Sequence, residues 1–449
     1  MACYIRGMKR AAYRYLVEWK GKTHRNPLVL RGARQVGKTW LLKEFAAREF
    51  DSVFYVNFEE NDRFSDVFEH DLRPSRILDD LSFLFERPFR SAGDILILDE
   101  IQRCPRALTA LKYFAEEAPD TAVCAAGSLL GVVLGDDSFP VGKVEFLDLY
   151  PFSFSEFLNG VERERLAAAL QAVQPGEVVP HVAHEKLWEL WKHYLVVGGL
   201  PAVITAYRES LDGGLYTAFQ RVRAVQRNLI DSYNADIAKH SGKTNALHVD
   251  RVWRNVPAQL ARNQQRTTSR FYFRDVIPGV RGYERLAGPI EWLESAGLLL
   301  RCSMVEAPAR PLSSRASHNR FKLYMADIGL LGALSGIKPG EFLAFDFGSY
   351  KGYVAENFVA QELRAAGERE LYFWQGRTSE VEFLLQRHGY ITPLEVKAGA
   401  RTRSRSLSAY EQRYTPVLGV IASARPGGRD DNRVYVPVYA VSRLEALKY

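Results

Sequence analysis

Cysteine is scarce. The 449 residues hold four, Cys3, Cys104, Cys124 and Cys302, with no CxxC pair and no histidine cluster beside them. That scatter argues against a zinc knuckle or a disulfide framework and fits reduced thiols. No apolar run approaches the ~18 residues a membrane-spanning helix needs. The opening stretch, MACYIRGMKRAAYRYLVEWK, puts charges where a secretory signal would carry its apolar segment. A cytoplasmic protein is expected. Internal repeats are lacking, and the one biased stretch is the basic, polar RTRSRSLS at 401–408. A net charge of +7 permits nucleic-acid contact without requiring it.

What is present is globular: 47% hydrophobic and 25% charged residues, in a chain long enough for roughly three domains. Between about 27 and 150, short apolar runs alternate with helical spacing. The runs PLVLRG, SVFYVNF, DILILD, TAVCAAGS and KVEFLDLY suit central strands of a parallel sheet covered by helices. The expected fold class is α/β, with a core at 1–150. From 151 to 244 the apolar spacing is helical, broken at QPGEVVPHVAH and at the Gly-Gly-Leu-Pro of VVGGLPAV. Over 245–338, a helix ending at Gly297 and two strands joined by a polar loop read as a winged helix-turn-helix. Residues 339–449 alternate strand and helix as a smaller α/β domain.

Gly32-Ala33-Arg34-Gln35-Val36-Gly37-Lys38-Thr39 satisfies GxxxxGK[ST], after the strand PLVL and before the helix TWLLKEFAAREF. Glycines let backbone N–H groups wrap phosphates, and the positive end of the following helix faces them. Lys38 is expected on the outer phosphates of ATP, and the Thr39 hydroxyl on Mg2+. Arg34 meets either a phosphate or solvent. DILILDEIQ supplies the second half: Asp99 for the metal and Glu100 as the base that orients and deprotonates the attacking water. Ser128, at the tip of AAGS, reads equally as a polar contact to the outer phosphate or as a strand-ending turn.

LRGARQVGKTWLLKEFA, ILDEIQRCP, AAGSLLG, VGKVEFLDLYPFSFSEFL, VGGLPAV, VWRNVPAQLARN, FKLYMADIGLL, AENFVAQEL and SEVEFLLQ…PLEVKAG occur in an order that resembles one prokaryotic family. Its members are AAA+-type P-loop ATPases with a nuclease-like C-terminal domain of unknown function. The resemblance implies strand order 5-1-4-3-2 in the core, a helical lid, a winged helix and a restriction-endonuclease-like terminal fold. It places Lys143 where relatives carry a sensor of the outer phosphate, acting in cis or from a neighbouring subunit; the alternative is an exposed strand-end lysine. Glu382, Glu395 and Lys397 match the carboxylate…(D/E)xK pattern of metal-dependent nucleases, with Glu356 as a fourth member. Residues two apart on a strand share a face, so Glu395 and Lys397 project together. The first carboxylate of active nucleases is usually Asp, one methylene shorter than Glu382, so a degenerate binding domain is the alternative.

Arg251, Arg254, Arg262 and Arg266, with RFYFRD, interleave basic and aromatic residues as a DNA-tracking element would. The reading is therefore an ATPase using Mg2+ whose nucleotide state controls a DNA-engaging C-terminal half. The alternatives are a nucleotide-gated switch that binds a protein partner or itself, and an ATP-regulated nuclease.

Overall fold

The computed structural model describes residues 8–128, 142–263, 270–274, 276–344, 351–397, 399 and 404–449. Arg266 and the 401–403 part of the basic stretch lie outside them. The chain divides into two compact units, the first ending at Tyr150 and the second beginning at Pro151, with Ser295–Gly297 clustering with the first.

The first unit is a five-stranded parallel sheet, β1 (Leu28–Arg31), β2 (Ser52–Asn57), β3 (Asp94–Asp99), β4 (Ala122–Ala126) and β5 (Glu145–Asp148), in the order β2-β3-β4-β1-β5. That is 5-1-4-3-2 read from the other edge. β3 and β4 are buried along their whole length because they are apolar on both faces. Helices α1 (Lys38–Glu49) and α2 (Pro105–Glu117) cover the sheet. Leu108, Leu111 and Phe114 of α2 join Leu96, Leu98 and Val123 in one cluster, each such side chain contributing roughly 1.5–3 kcal/mol. Not all five runs are central. β2 and β5 form the edges and are half-exposed, and on β5 the charges of Glu145 and Asp148 explain why. Asp148 accepts from Arg31 Nε at 2.9 Å and Glu145 from Lys22 Nζ at 2.6 Å, which suits a strand with one side open.

In the second unit, helices between Phe154 and His240 precede α3 (Lys243–Asn263) and α4 (Glu284–Ser295). An eight-stranded mixed sheet follows, in the order β12-β13-β11-β10-β9-β8-β6-β7. Its strands are β6 (Leu299–Val305), β7 (Ala316–Met325), β8 (Leu371–Gln375), β9 (Glu380–Arg387), β10 (Tyr390–Val396), β11 (Gly419–Ser423), β12 (Gly428–Asp430) and β13 (Arg433–Pro437). The β6–β7 hairpin is antiparallel, as a wing would be. Its inner strand, however, pairs in parallel with β8 from Cys302↔Leu371 to Val305↔Trp374. One sheet therefore runs through segments that read in sequence as a winged helix and a separate terminal domain. The apolar LLRCSMV has two sheet edges to fill, and its second partner is far along the chain.

Helix α5 (Lys351–Ala365) carries buried polar residues that pin this unit internally. Asn357 pairs with both backbone groups of Met325, accepting at 2.7 Å and donating at 2.9 Å. Gln361 accepts from Ile328 N–H at 2.9 Å. Asp327 accepts from Gly199 N–H at 2.6 Å and Leu330 N–H at 2.9 Å. Only glycine fits at 199, because a Cβ there would lie 2.2 Å from the Phe152 carbonyl oxygen.

Glu362 is fully buried. One carboxyl oxygen accepts from Phe154 N–H at 2.8 Å, and the other has no partner among the described residues. Burial drives its pKa up to about 8, against the lowering effect of that hydrogen bond. The folded chain thus keeps a proton there that the unfolded chain releases near pH 4.5. Stability should fall as pH rises through the window from about 4.5 to 8, by on the order of 1 kcal/mol per pH unit. Glu362→Gln should remove that component, giving a flatter dependence in denaturant titrations at pH 5, 6.5 and 8. An unchanged slope would contradict the assignment.

Candidate nucleotide site and C-terminal charge cluster

The Gly32–Thr39 loop joins the end of β1 to the start of α1. Gly32 has φ +148°, and a Cβ there would sit 2.1 Å from the Leu149 carbonyl oxygen. Gly37, at φ 97°, forms the N-cap of α1, and Gln35 also takes positive φ at 63°. Ala33 and Val36 are buried and set the loop against the core. Arg34 Nη2 lies 3.9 Å from Glu59 Oε2.

Lys38 is buried beneath this loop, its Nζ donating to the carbonyls of Gly32 at 2.9 Å and Ala33 at 2.8 Å. Burial pulls its pKa down to about 8, with Glu100 and Asp99 opposing. Thr39 Oγ1 donates to Asp99 Oδ2 at 2.7 Å, so the two motifs meet at one point although 60 positions separate them. The sequence reading missed Tyr55. Its hydroxyl donates to the same Asp99 oxygen at 2.7 Å, and Lys43 Nζ sits 3.8 Å from its ring centroid. A hydroxyl in the middle of the β2 run SVFYVN was the available signal.

Glu100 follows Asp99 in left-handed backbone, φ 52°, a conformation that costs a non-glycine residue of order 1–3 kcal/mol. Its N–H donates to Asp99 Oδ1 at 3.0 Å, and its carboxylate accepts from Gln102 Nε2 at 2.5 Å. Ser128 is buried just past β4, its hydroxyl without a partner among the described residues. Lys143 is placed elsewhere. It precedes β5 at the edge where the parallel strands begin, pairing with Glu116 at 3.2 Å, whereas the loop and Asp99 lie where they end. It is not brought to the outer-phosphate position of its own chain.

The residues fit MgATP. Thr39 and Asp99 offer adjacent hard oxygen ligands, the donor set Mg2+ takes alongside substrate phosphates and water. Ser128 adds an unsatisfied buried hydroxyl.

In the second unit, Glu395 is buried on β10 and paired with Lys397, while its Oε2 has no partner among the described residues. Glu382 Oε2 accepts from Val396 N–H at 3.0 Å. Burial, then the neighbouring carboxylates of Glu395 and Glu356, push the Glu382 pKa well up. Three further members were not singled out. Lys322 is buried on β7 with Nζ 2.5 Å from Glu380 Oε1 and 3.4 Å from Glu356 Oε2, and Tyr324 donates to Glu356 at 3.1 Å. The alternation FKLYM put Lys322 and Tyr324 on one face, but their partners are set by the sheet. Burial disfavours the Lys322 charge, and Glu356 and Glu380 outweigh it, so its pKa is raised. Among the described residues, no group of three or more His, Cys, Asp or Glu side chains is placed to hold a metal ion. Glu356, Glu382, Glu395 and Lys397 are thus gathered in one charge cluster, with Lys397 on Glu395 and Lys322 on Glu356.

Of the basic residues expected near nucleic acid, Arg251, Arg254 and Arg262 lie on α3, with Arg254 paired to Asp250 at 2.8 Å. No described helix is long and apolar enough to cross a membrane.

Residues 24–158 match the AAA domain family. Residues 188–341 and 351–440 match two domains of unknown function, DUF8612 and DUF4143. Together with the strand order and the loop, the first match makes the N-terminal unit a P-loop domain of the AAA type. No curated protein matches the chain. Among solved structures, the Walker-type ATPase PABY2304 of Pyrococcus abyssi is 18% identical, over 73% of this chain and 95% of its own, with a TM-score of 0.45. The Aeropyrum pernix ORC1 protein, solved in complex with DNA, is 15% identical over 76% and 96%, with a TM-score of 0.31.

Proposed function

We propose that the protein binds ATP with Mg2+ and hydrolyses it, and that its nucleotide state controls a DNA-engaging C-terminal half. The contact between Thr39 and Asp99, with Lys38 beneath the same loop, carries the ATPase reading. When bound, Mg2+ neutralises charge on the outer phosphates. The loop N–H groups and the start of α1 face the phosphates, and Lys38 leaves the Gly32 and Ala33 carbonyls to meet them. Asp99, fixed by Thr39 and Tyr55, holds its carboxylate at the metal position. Glu100 takes the proton from the attacking water, and Gln102 sets where its carboxylate points. Ser128 donates to the outer phosphate.

The DNA-engaging half is supported by the net charge and by the basic residues of the second unit. The winged-helix reading is kept only for the helices before β6, since the hairpin is built into the larger sheet. Hydrolysis by purified protein, with and without duplex or single-stranded DNA and with Glu100→Gln as the blank, tests the proposal. A DNA-stimulated rate supports it. A rate indifferent to DNA transfers the reading to a switch for a protein partner, and a rate no higher than the blank removes the ATPase.

A further inference from the structure

Four arginines far apart in sequence converge on one concavity of the second unit. Arg270, Arg320 on β7, Arg377 in the β8–β9 turn and Arg413 on the helix Arg405–Tyr414 line a cavity of about 450 Å³, with Gln375 and Glu306. Among the described residues, Glu306 is the one carboxylate in this lining, and it pairs with Arg320. Arginines outnumber carboxylates there four to one, so the concavity is basic. Gln375 Nε2 is a buried donor without an acceptor among the described residues, a state that costs roughly 1–3 kcal/mol.

Next to the lining, Trp374 is buried against Tyr410 and Tyr414, with ring centroids 5.2 and 5.9 Å away. Gly376 lets the turn lie close on it, since a Cβ there would come 2.7 Å from the Trp374 ring. Arg413 stands over the Tyr414 ring at 5.3 Å and Arg270 over Tyr272 at 5.3 Å, cation–π contacts that favour these placements. Planar, permanently charged forks suit the paired oxygens of a phosphodiester. Arg320 shares a face of β7 with Lys322, and Gln375 pairs in register with Glu380.

We infer that this arginine-lined concavity at the β8–β9 end of the mixed sheet binds phosphodiester groups of a nucleic-acid backbone. The inference rests on the reading of the C-terminal half as DNA-engaging, and gives that half a contact site beyond the arginines of α3.

The test is fluorescence anisotropy of labelled single-stranded and duplex oligonucleotides with the full chain, across a salt series. Wild type is compared with Arg377→Glu/Arg413→Glu. Both side chains are exposed, so the variant should keep the thermal stability and ATP affinity of wild type. Expected is a loss of at least ~10-fold in affinity, with the slope of log K against log salt shallower by about two. A double variant that binds like wild type would overturn the concavity as the site while leaving DNA engagement standing. Wild type that binds neither oligonucleotide would overturn both. Polyglutamate displacing the oligonucleotide at equal charge concentration would overturn the phosphodiester assignment in favour of an acidic protein.

Discussion

Lys38→Ala abolishes ATP binding: affinity falls by at least ~100-fold, the equivalent of about 3 kcal/mol for charge-assisted hydrogen bonds to phosphate. The same change should leave folding intact, which separates it from general damage. Lys38 is buried with its pKa lowered to about 8 from 10.5, so in the nucleotide-free protein its charge is held at a cost. A group whose folded pKa is depressed in this way disfavours the folded state below about pH 8, and the penalty lifts as pH rises through the window from about 8 to 10.5. Alanine has no charge to bury, so at pH 7 the variant should unfold at the same temperature as wild type or higher. Nucleotide titration calorimetry and thermal unfolding of one preparation check both halves. Normal hydrolysis by the variant would remove Lys38 from the site.

Glu100→Gln should separate binding from turnover. The carboxylate stands beside Asp99 but does not pair with Thr39, so ATP affinity should stay within about twofold of wild type. An amide cannot take a proton from water, and kcat should fall by about 10²- to 10⁴-fold. The left-handed backbone at Glu100 is no harder for Gln, which keeps the geometry comparable. Single-turnover hydrolysis beside equilibrium nucleotide binding makes the distinction. A variant that still turns over at the wild-type rate would show that another group activates the water.

Much of the first unit was legible in the chain because its determinants are local. The loop announces itself through its glycines: at Gly32 a Cβ would strike the Leu149 carbonyl, and Gly37 takes a positive φ. The apolar runs fix β3 and β4 as central strands, and Asp99 and Glu100 follow from their place at the end of one. Less legible was anything decided by a partner. Edge position for β2 and β5 depends on which strands sit beside them. The role of Tyr55 depends on the side-by-side pairing of β2 with β3, which sets its hydroxyl on Asp99. Lys143 reads as a sensor by position in the chain, and the direction of the strand it precedes sets it away from its own chain's phosphate loop, beside Glu116.

The sequence by itself determined the α/β character, the phosphate loop, the acidic pair at the end of β3 and the ExK pattern at the end of β10, since each rests on spacing within a few residues. Only the tertiary structure decided what faces the C-terminal carboxylates. Lys322 arrives from β7 and Glu380 from β9, and a buried charge needs its counter-charge wherever the fold can bring one. The convergence of Arg270, Arg320, Arg377 and Arg413 is of the same kind. Nothing in their spacing along the chain relates them, and they meet because β6 closes the gap between a hairpin and a sheet.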